Sequence, residues 1–488
     1  MIPTTETYDK IIQGKEFSIR QKYISEEGLR DFYNIFLLVL SYFDQQFLVE
    51  IAFTISKEIW INAIKANAKR LFFQRQNLDI LNPNHYQKGM EQFSEEVTMK
   101  WHEQEAFLNK AEFYIETRIK LQNESLLITV ENNAGVLPEE QERINARIEA
   151  SQKYNDLSEA FADMLDSSES AGLGLILTQI LLKNSGIGKE NFSMKFDPDK
   201  TLVKLSIPRT AVPVTPNTKF NAKILDEIQN LPPMPQRITK LLELCNKPDT
   251  EISLISLEVE KDPGLSADLL RLSNSTFFVT RNKATTVTSA IKIVGLKNLK
   301  NMLYVTGVNK ILQSKYKKAE EVWAHSEKCS FFAKMICLDA GKTKLADIAS
   351  TCGLLHDIGK LIILSIDGQI AFKIENLKDK EKNNSVILEE FTVGASHASV
   401  GSMLLSKWNF PEELIAAVEY HHKPFLAEPQ HKELVEIIYL ANMMIDVLDH
   451  KASFFVINEP ILKTFKIDNE KSFNNYLERL NKQYIATK

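Results

Sequence analysis

Between Pro208 and Phe220 the chain reads PRTAVPVTPNTKF, and this stretch divides everything around it. Each of its three prolines removes a backbone N–H and holds φ near −65°, so neither a helix nor a central strand runs through it. The spacing predicts a stiff, extended connection. The 488 residues also exceed what one hydrophobic core ordinarily serves. Before the seam the pattern mixes helix and strand; after it nearly every segment has helical period. We therefore expect an α+β domain over 1–208, with helices on one mixed sheet. A proline-rich linker over 209–220, an all-α domain over 221–430 and further helices packed on it over 431–488 complete the division.

With 44% apolar and 25% charged residues, the composition is that of a water-soluble globular protein. A net charge of −5 gives no strong nucleic-acid signal, since such partners need a basic face. The apolar run Phe32–Phe43 falls well short of the ~20 residues that span a bilayer and reads as a core helix. MIPTTETYDK carries no basic segment followed by an apolar one, so no signal peptide is expected. Cys245, Cys329, Cys337 and Cys352 form no CxxC pair and suit a reducing compartment. The expected location is the cytoplasm, with no membrane span.

In the first domain, Leu48, Ile51, Ala52, Ile55, Ile59 and Ala63 recur at helical steps. ESLLITVENN, NFSMKF and TLVKLSIP read as strands. Glu58 and Asn62 stand four apart, on one helix face, with Lys65 close by; oxygen ligands so placed suit a hydrated magnesium ion. SAGLGL, with Gly172 and Gly174, opens an apolar helix and can turn backbone N–H groups toward a phosphate.

Taken in order, EIWINAIKANAKR, VENNAGVLP and SAGLGL resemble the asparagine, adenine-binding and second glycine boxes of the GHKL fold, the ATP-binding domain of histidine kinases and anti-sigma-factor kinases. The resemblance implies an ATP/Mg2+ site built from Glu58, Asn62, Lys65, Asn132, Gly172 and Gly174. The sequence departs from that pattern at Asn132, where the family carries Asp, and at Ala134 and Ser170, where it carries glycine. The first histidine, His85, follows the asparagine box, so phosphorylation of a histidine in cis has no candidate. A degenerate docking module and a Ser/Thr kinase of the anti-sigma type are the other readings.

In the second domain, Leu231–Pro235 stops any helix, and Asp262-Pro263 starts one with proline at its first position. Lys292, Lys297 and Lys300 make a small basic stretch that reads as a solvated face. LPPMP, KDPGLSADLLRLSNS and HDIGK, in this order over 222–424, resemble an HDOD domain, a relative of the HD phosphohydrolases. The resemblance implies a non-catalytic regulatory module that binds other signalling proteins, as an oligomer or alone. It also implies a candidate divalent-metal cluster of His325, His356, Asp357, His397, His421 and His422. In the hydrolases a later aspartate completes the set. Here Asn442 takes that place, and a neutral amide binds hard cations weakly; Asp446, one turn further on, is the candidate substitute. Partner binding is the leading expectation, and a metal-dependent phosphohydrolase is the alternative.

Overall fold

The computed structural model describes residues 2–99, 108–109, 111–154, 159–160, 173–212, 219–274, 283–316, 320–366 and 385–487. The chain divides into two compact units, Met1–Thr218 with Ile374–Gly394, and Lys219–Lys373 with Ala395–Lys488.

The first unit opens with α1 (Thr4–Ile12), β1 (Phe17–Gln21), α2 (Glu26–Tyr42), α3 (Val49–Arg75) and α4 (Pro83–Met99). It continues through β2 (Ile115–Gln122), β3 (Ser125–Asn132), α5 (Pro138–Ser151), α6 (Leu173–Asn184), β4 (Phe192–Phe196) and β5 (Thr201–Pro208). The sheet order is β1-β2-β3-β5-β4. Every neighbouring pair is antiparallel, which corrects the mixed sheet expected from sequence. Strand β2 escapes a reading by hydrophobicity because Glu116, Arg118 and Lys120 alternate with the buried Ile115, Thr117 and Ile119. Its charges are used across the sheet, where Arg118 pairs with Glu131 and Arg20 of β1 with Glu116. Asn123 and Glu124, at φ 52° and 56°, form the two-residue hairpin joining β2 to β3; positive φ at both positions matches the twist of the paired strands.

Helix α3 lies on this sheet. Trp60 is buried and donates from Nε1 to Thr117 Oγ1 at 3.1 Å, with the Phe32 ring 4.4 Å away. Gln45 Nε2 donates to the carbonyls of Pro208 and Ala211 at 2.9 and 3.3 Å, fastening 208–211 to the first unit; 213–218 lie outside the described residues.

The second unit is helical throughout its described residues. Its elements are α7 (Lys219–Asn230), α8 (Gln236–Asn246), α9 (Ile252–Glu260), α10 (Pro263–Ser273), α11 (Val287–Lys315), α12 (Glu320–Asp339), α13 (Ala346–Leu355) and α14 (Ile358–Ile366). After α15 (Ser385–Val393), which belongs to the first unit, come α16 (His397–Lys407), α17 (Glu412–Tyr420), α18 (Lys432–Leu448), α19 (Glu459–Thr464) and α20 (Glu470–Ile485). Pro263 sits at the start of α10, as expected, and the Asp262 carboxylate accepts from Leu265 N at 3.1 Å. Lys407 Nζ donates to the carbonyls of Ile228, Gln229 and Leu231 at 2.7–2.8 Å, closing the C-terminus of α7. Among the described residues one stretch, Thr343–Ile366, is long and apolar enough to cross a membrane, and 72% of its window is buried inside the protein. It is the core of this unit.

Two glycines set the helix spacing that the site needs. A Cβ on Gly353 would stand 2.8 Å from the Ser330 backbone, so α13 lies directly against α12. A Cβ on Gly359 would collide with the His397 carbonyl oxygen, so α14 touches the start of α16. Contacts that short are not tolerated by real side chains, which makes both positions glycine by steric necessity.

Candidate metal centre

Six helices deliver the cluster that the sequence singled out and its neighbour Asn442. His325 comes from α12, and His356-Asp357 from the junction of α13 and α14. His397 is the first residue of α16, His421 and His422 follow α17, and Asn442 lies on α18. His356, Asp357, His397 and His421 are essentially without solvent exposure. All six predicted residues come together, in two groups that share Asp357. One holds Asp357, His397, His421 and His422; the other holds His325, His356 and Asp357. Within each group the ligand atoms lie within 4.8 Å of one another.

Asp357 Oδ1 lies 3.2 Å from His397 Nε2 and 3.8 Å from His421 Nε2. Its Oδ2 lies 3.6 Å from His325 Nε2, 3.5 Å from His356 Nε2 and 2.6 Å from Lys360 Nζ. His397 Nε2 is 3.3 Å from His421 Nε2 and 3.0 Å from His422 Nε2. Two tautomers are set by backbone. His356 Nδ1 donates to the Gly353 carbonyl at 2.8 Å and His421 Nδ1 to the Val418 carbonyl at 2.7 Å, which turns the lone pairs of both Nε2 atoms inward. Such outer hydrogen bonds orient imidazoles that ligate metals.

Electrostatics favour neutral rings around one anion. Burial pushes His325 down to about 3, against the pull of Asp357. Burial also drives His356, His421 and His422 below the ordinary imidazole value. For Asp357 burial opposes ionisation, but the adjacent His356 and the Lys360 ammonium on its carboxylate outweigh it and hold the group well below the usual carboxylate range. His356 Nε2 and Asp357 Oδ1 are buried acceptors without a hydrogen-bond donor. A buried polar atom left so is costly, and inward lone pairs around a carboxylate fit a divalent cation.

Lys360, the last residue of HDIGK, belongs to the site through its ion pair with Asp357. Its spacing of three from Asp357 was the available signal. Asp446, the substitute considered for Asn442, is not in either ligand group among the described residues. It lies near Cys329, whose thiol burial pushes up, with further contributions from Asp357 and Asp446.

The candidate nucleotide residues are distributed differently. Glu58 is buried, and its Oε2 would collide with a Cβ on Gly174, so carboxylate and helix start are in direct apposition. Asn62 and Lys65 are exposed. Asn132 is buried, and its Nδ2 donates to Asn67 Oδ1 at 3.2 Å. Asn67 in turn donates to the Tyr114 carbonyl at 3.1 Å. Gly172 and Ser170 lie outside the described residues. Asn67 was not anticipated; it is one more polar residue in a helix full of them.

Residues 231–424 match the sequence model of the HDOD domain. An uncharacterized protein of Treponema pallidum (strain Nichols) is 29% identical over 429 residues, covering 88% of this chain and 84% of its own. Among solved structures, an HDOD domain protein with unknown function from Geobacter sulfurreducens is 20% identical, with a TM-score of 0.45 over 55% of this chain and 94% of that one. A virulence factor from Campylobacter jejuni is 22% identical, with a TM-score of 0.29 over 54% of this chain and 99% of that one. The match to the sequence model, together with the helical unit that carries it, identifies residues 231–424 as an HDOD domain.

Proposed function

We propose that this chain is a cytoplasmic signal-transduction protein whose HDOD domain binds other signalling proteins and holds a divalent metal as a structural centre rather than as a hydrolytic one. The observation that carries the reading is the donor set. Asp357 is the one carboxylate in either ligand group among the described residues, and Asn442 stands where the hydrolase pattern has an acid. A hydrolytic metal needs anionic ligands to stay bound while leaving a position open for water. Burial supports the same reading, since Asp357 is 1% exposed and His356, His397 and His421 are 0% exposed.

The first unit is a regulatory module in this proposal, a degenerate GHKL-like domain through which a nucleotide or a partner acts on the HDOD domain. ATP with Mg2+ binds weakly there at best, because Asn132 uses its amide on Asn67 and offers no charge to an adenine. The boundaries proposed are 1–208, 209–220, 221–430 and 431–488.

The test is to purify the full chain without chelator, measure its metal content, and assay hydrolysis of cyclic dinucleotides and generic phosphodiesters with added Mn2+. Bound metal with no hydrolysis above background is expected. Hydrolysis abolished by both His356→Ala and Asp446→Ala would overturn the reading in favour of a metal-dependent phosphohydrolase.

A further inference from the structure

We infer that the centre holds one borderline transition ion per chain, of the Zn2+ class, at Asp357, His397, His421 and His422, and that the His325–His356 side stays free of metal. This rests on the reading of the cluster as a metal centre and goes beyond it by assigning occupancy.

The first support is geometric. Four ligands at ~2.0–2.1 Å from a tetrahedral ion are about 3.3 Å apart. The separations on the His397 side are 3.0, 3.2, 3.3 and 3.8 Å, which bracket that edge. The donors there are three imidazoles and one carboxylate oxygen, a complete set for a closed four-coordinate site.

The second support is the state of the other side. His325 Nε2 and the Asn442 side-chain amide are 2.9 Å apart. In either orientation of that amide the ring nitrogen is engaged, as donor to the oxygen or as acceptor from the nitrogen. Asp357 Oδ2, the oxygen facing this side, already carries the Lys360 ammonium at 2.6 Å. An incoming cation would meet that ammonium with no second carboxylate to offset it. What remains is His356 Nε2, one imidazole, too few donors to hold an ion.

The experiment is metal analysis of the full chain after loading with Zn2+ and dialysis, alongside three variants checked for folding by circular dichroism. We expect one ion per chain in the wild type and in His325→Ala, none in His422→Ala, and two in Asn442→Asp combined with Lys360→Ala. Loading with Co2+ reads the geometry without any substitution, and the strong visible absorption of a four-coordinate ion is expected. Two ions per wild-type chain, a weak six-coordinate Co2+ spectrum, or an ion retained by His422→Ala and lost in His325→Ala would overturn the assignment of occupancy while leaving a metal centre. No metal in any form would overturn the metal reading as well.

Discussion

The Nε2 of His325 on α12 lies 2.9 Å from the side-chain oxygen of Asn442 on α18, and this contact ties two helices together at the point where a hydrolase pattern has an acid. Asn442 is 2% exposed, so the bond is sheltered from water. Losing it takes from the partly buried His325 its Asn442 partner, which costs about 1–3 kcal/mol. Asn442→Leu is therefore expected to lower the stability of the full chain by about that amount, read by thermal unfolding in the presence of chelator. An unchanged melting temperature would mean that the contact is not formed.

Asn442→Asp tests the same position by charge. A second carboxylate beside Asp357 repels it in a buried setting. In chelator the variant should melt below the wild type. With Mn2+ present it should recover more than the wild type gains, because an added anionic ligand raises the affinity of the native state alone. Equal metal responses in the two proteins would show that a carboxylate at 442 does not open the His325–His356 side to an ion.

Much of this site was legible in advance, and the reasons are local. His356-Asp357 and His421-His422 are adjacent in sequence, so a shared site needs little inference. His397 becomes the head of a helix because Ser396 caps it, accepting from Ser399 N at 3.2 Å. What brings these pieces together is the crossing of α13 on α12 and of α14 on α16. That depends on Gly353 and Gly359 meeting particular backbone atoms, which periodicity does not encode. Strand β2 was hidden by its alternating charges, and the anchoring of 208–211 by Gln45 is a contact 163 residues distant. Asn67 and its bond to Asn132 likewise join residues 65 apart.

That amide pair makes a prediction for the first unit. Asn67 cannot turn to donate to residue 132, because its Nδ2 is already given to the Tyr114 carbonyl. Asn132→Asp would place a carboxylate against the Asn67 oxygen with no proton between them. The substitution, which restores the residue type of the nucleotide-binding pattern, is expected to destabilise the full chain by about 1–3 kcal/mol. Millimolar ATP with Mg2+ should not restore the melting temperature. A clear upward shift with ATP would show instead that Asn132 alone limits nucleotide binding.

The last prediction concerns acid. Glu140 at the start of α5 pairs with Lys69 and, at 3.0 Å, with Arg70 of α3, and accepts from Leu137 N at 3.0 Å. Burial alone would raise its pKa, but the hydrogen bond from Arg70 and the charge of Lys69 outweigh that and hold it at about 2, against an ordinary 4.5. The Lys69 ammonium is itself disfavoured by burial, which offsets part of the gain. A carboxyl whose folded value is depressed contributes stability above its unfolded value and loses it as pH falls toward the folded one. The contribution here is of order 2 kcal/mol, present above about pH 4.5 and lost progressively toward pH 2. Glu140→Gln should therefore lower the melting temperature near neutral pH, and the gap from wild type should close through that window. A gap that stays constant from pH 6 to pH 3 would mean that the ion pair is not what Glu140 contributes.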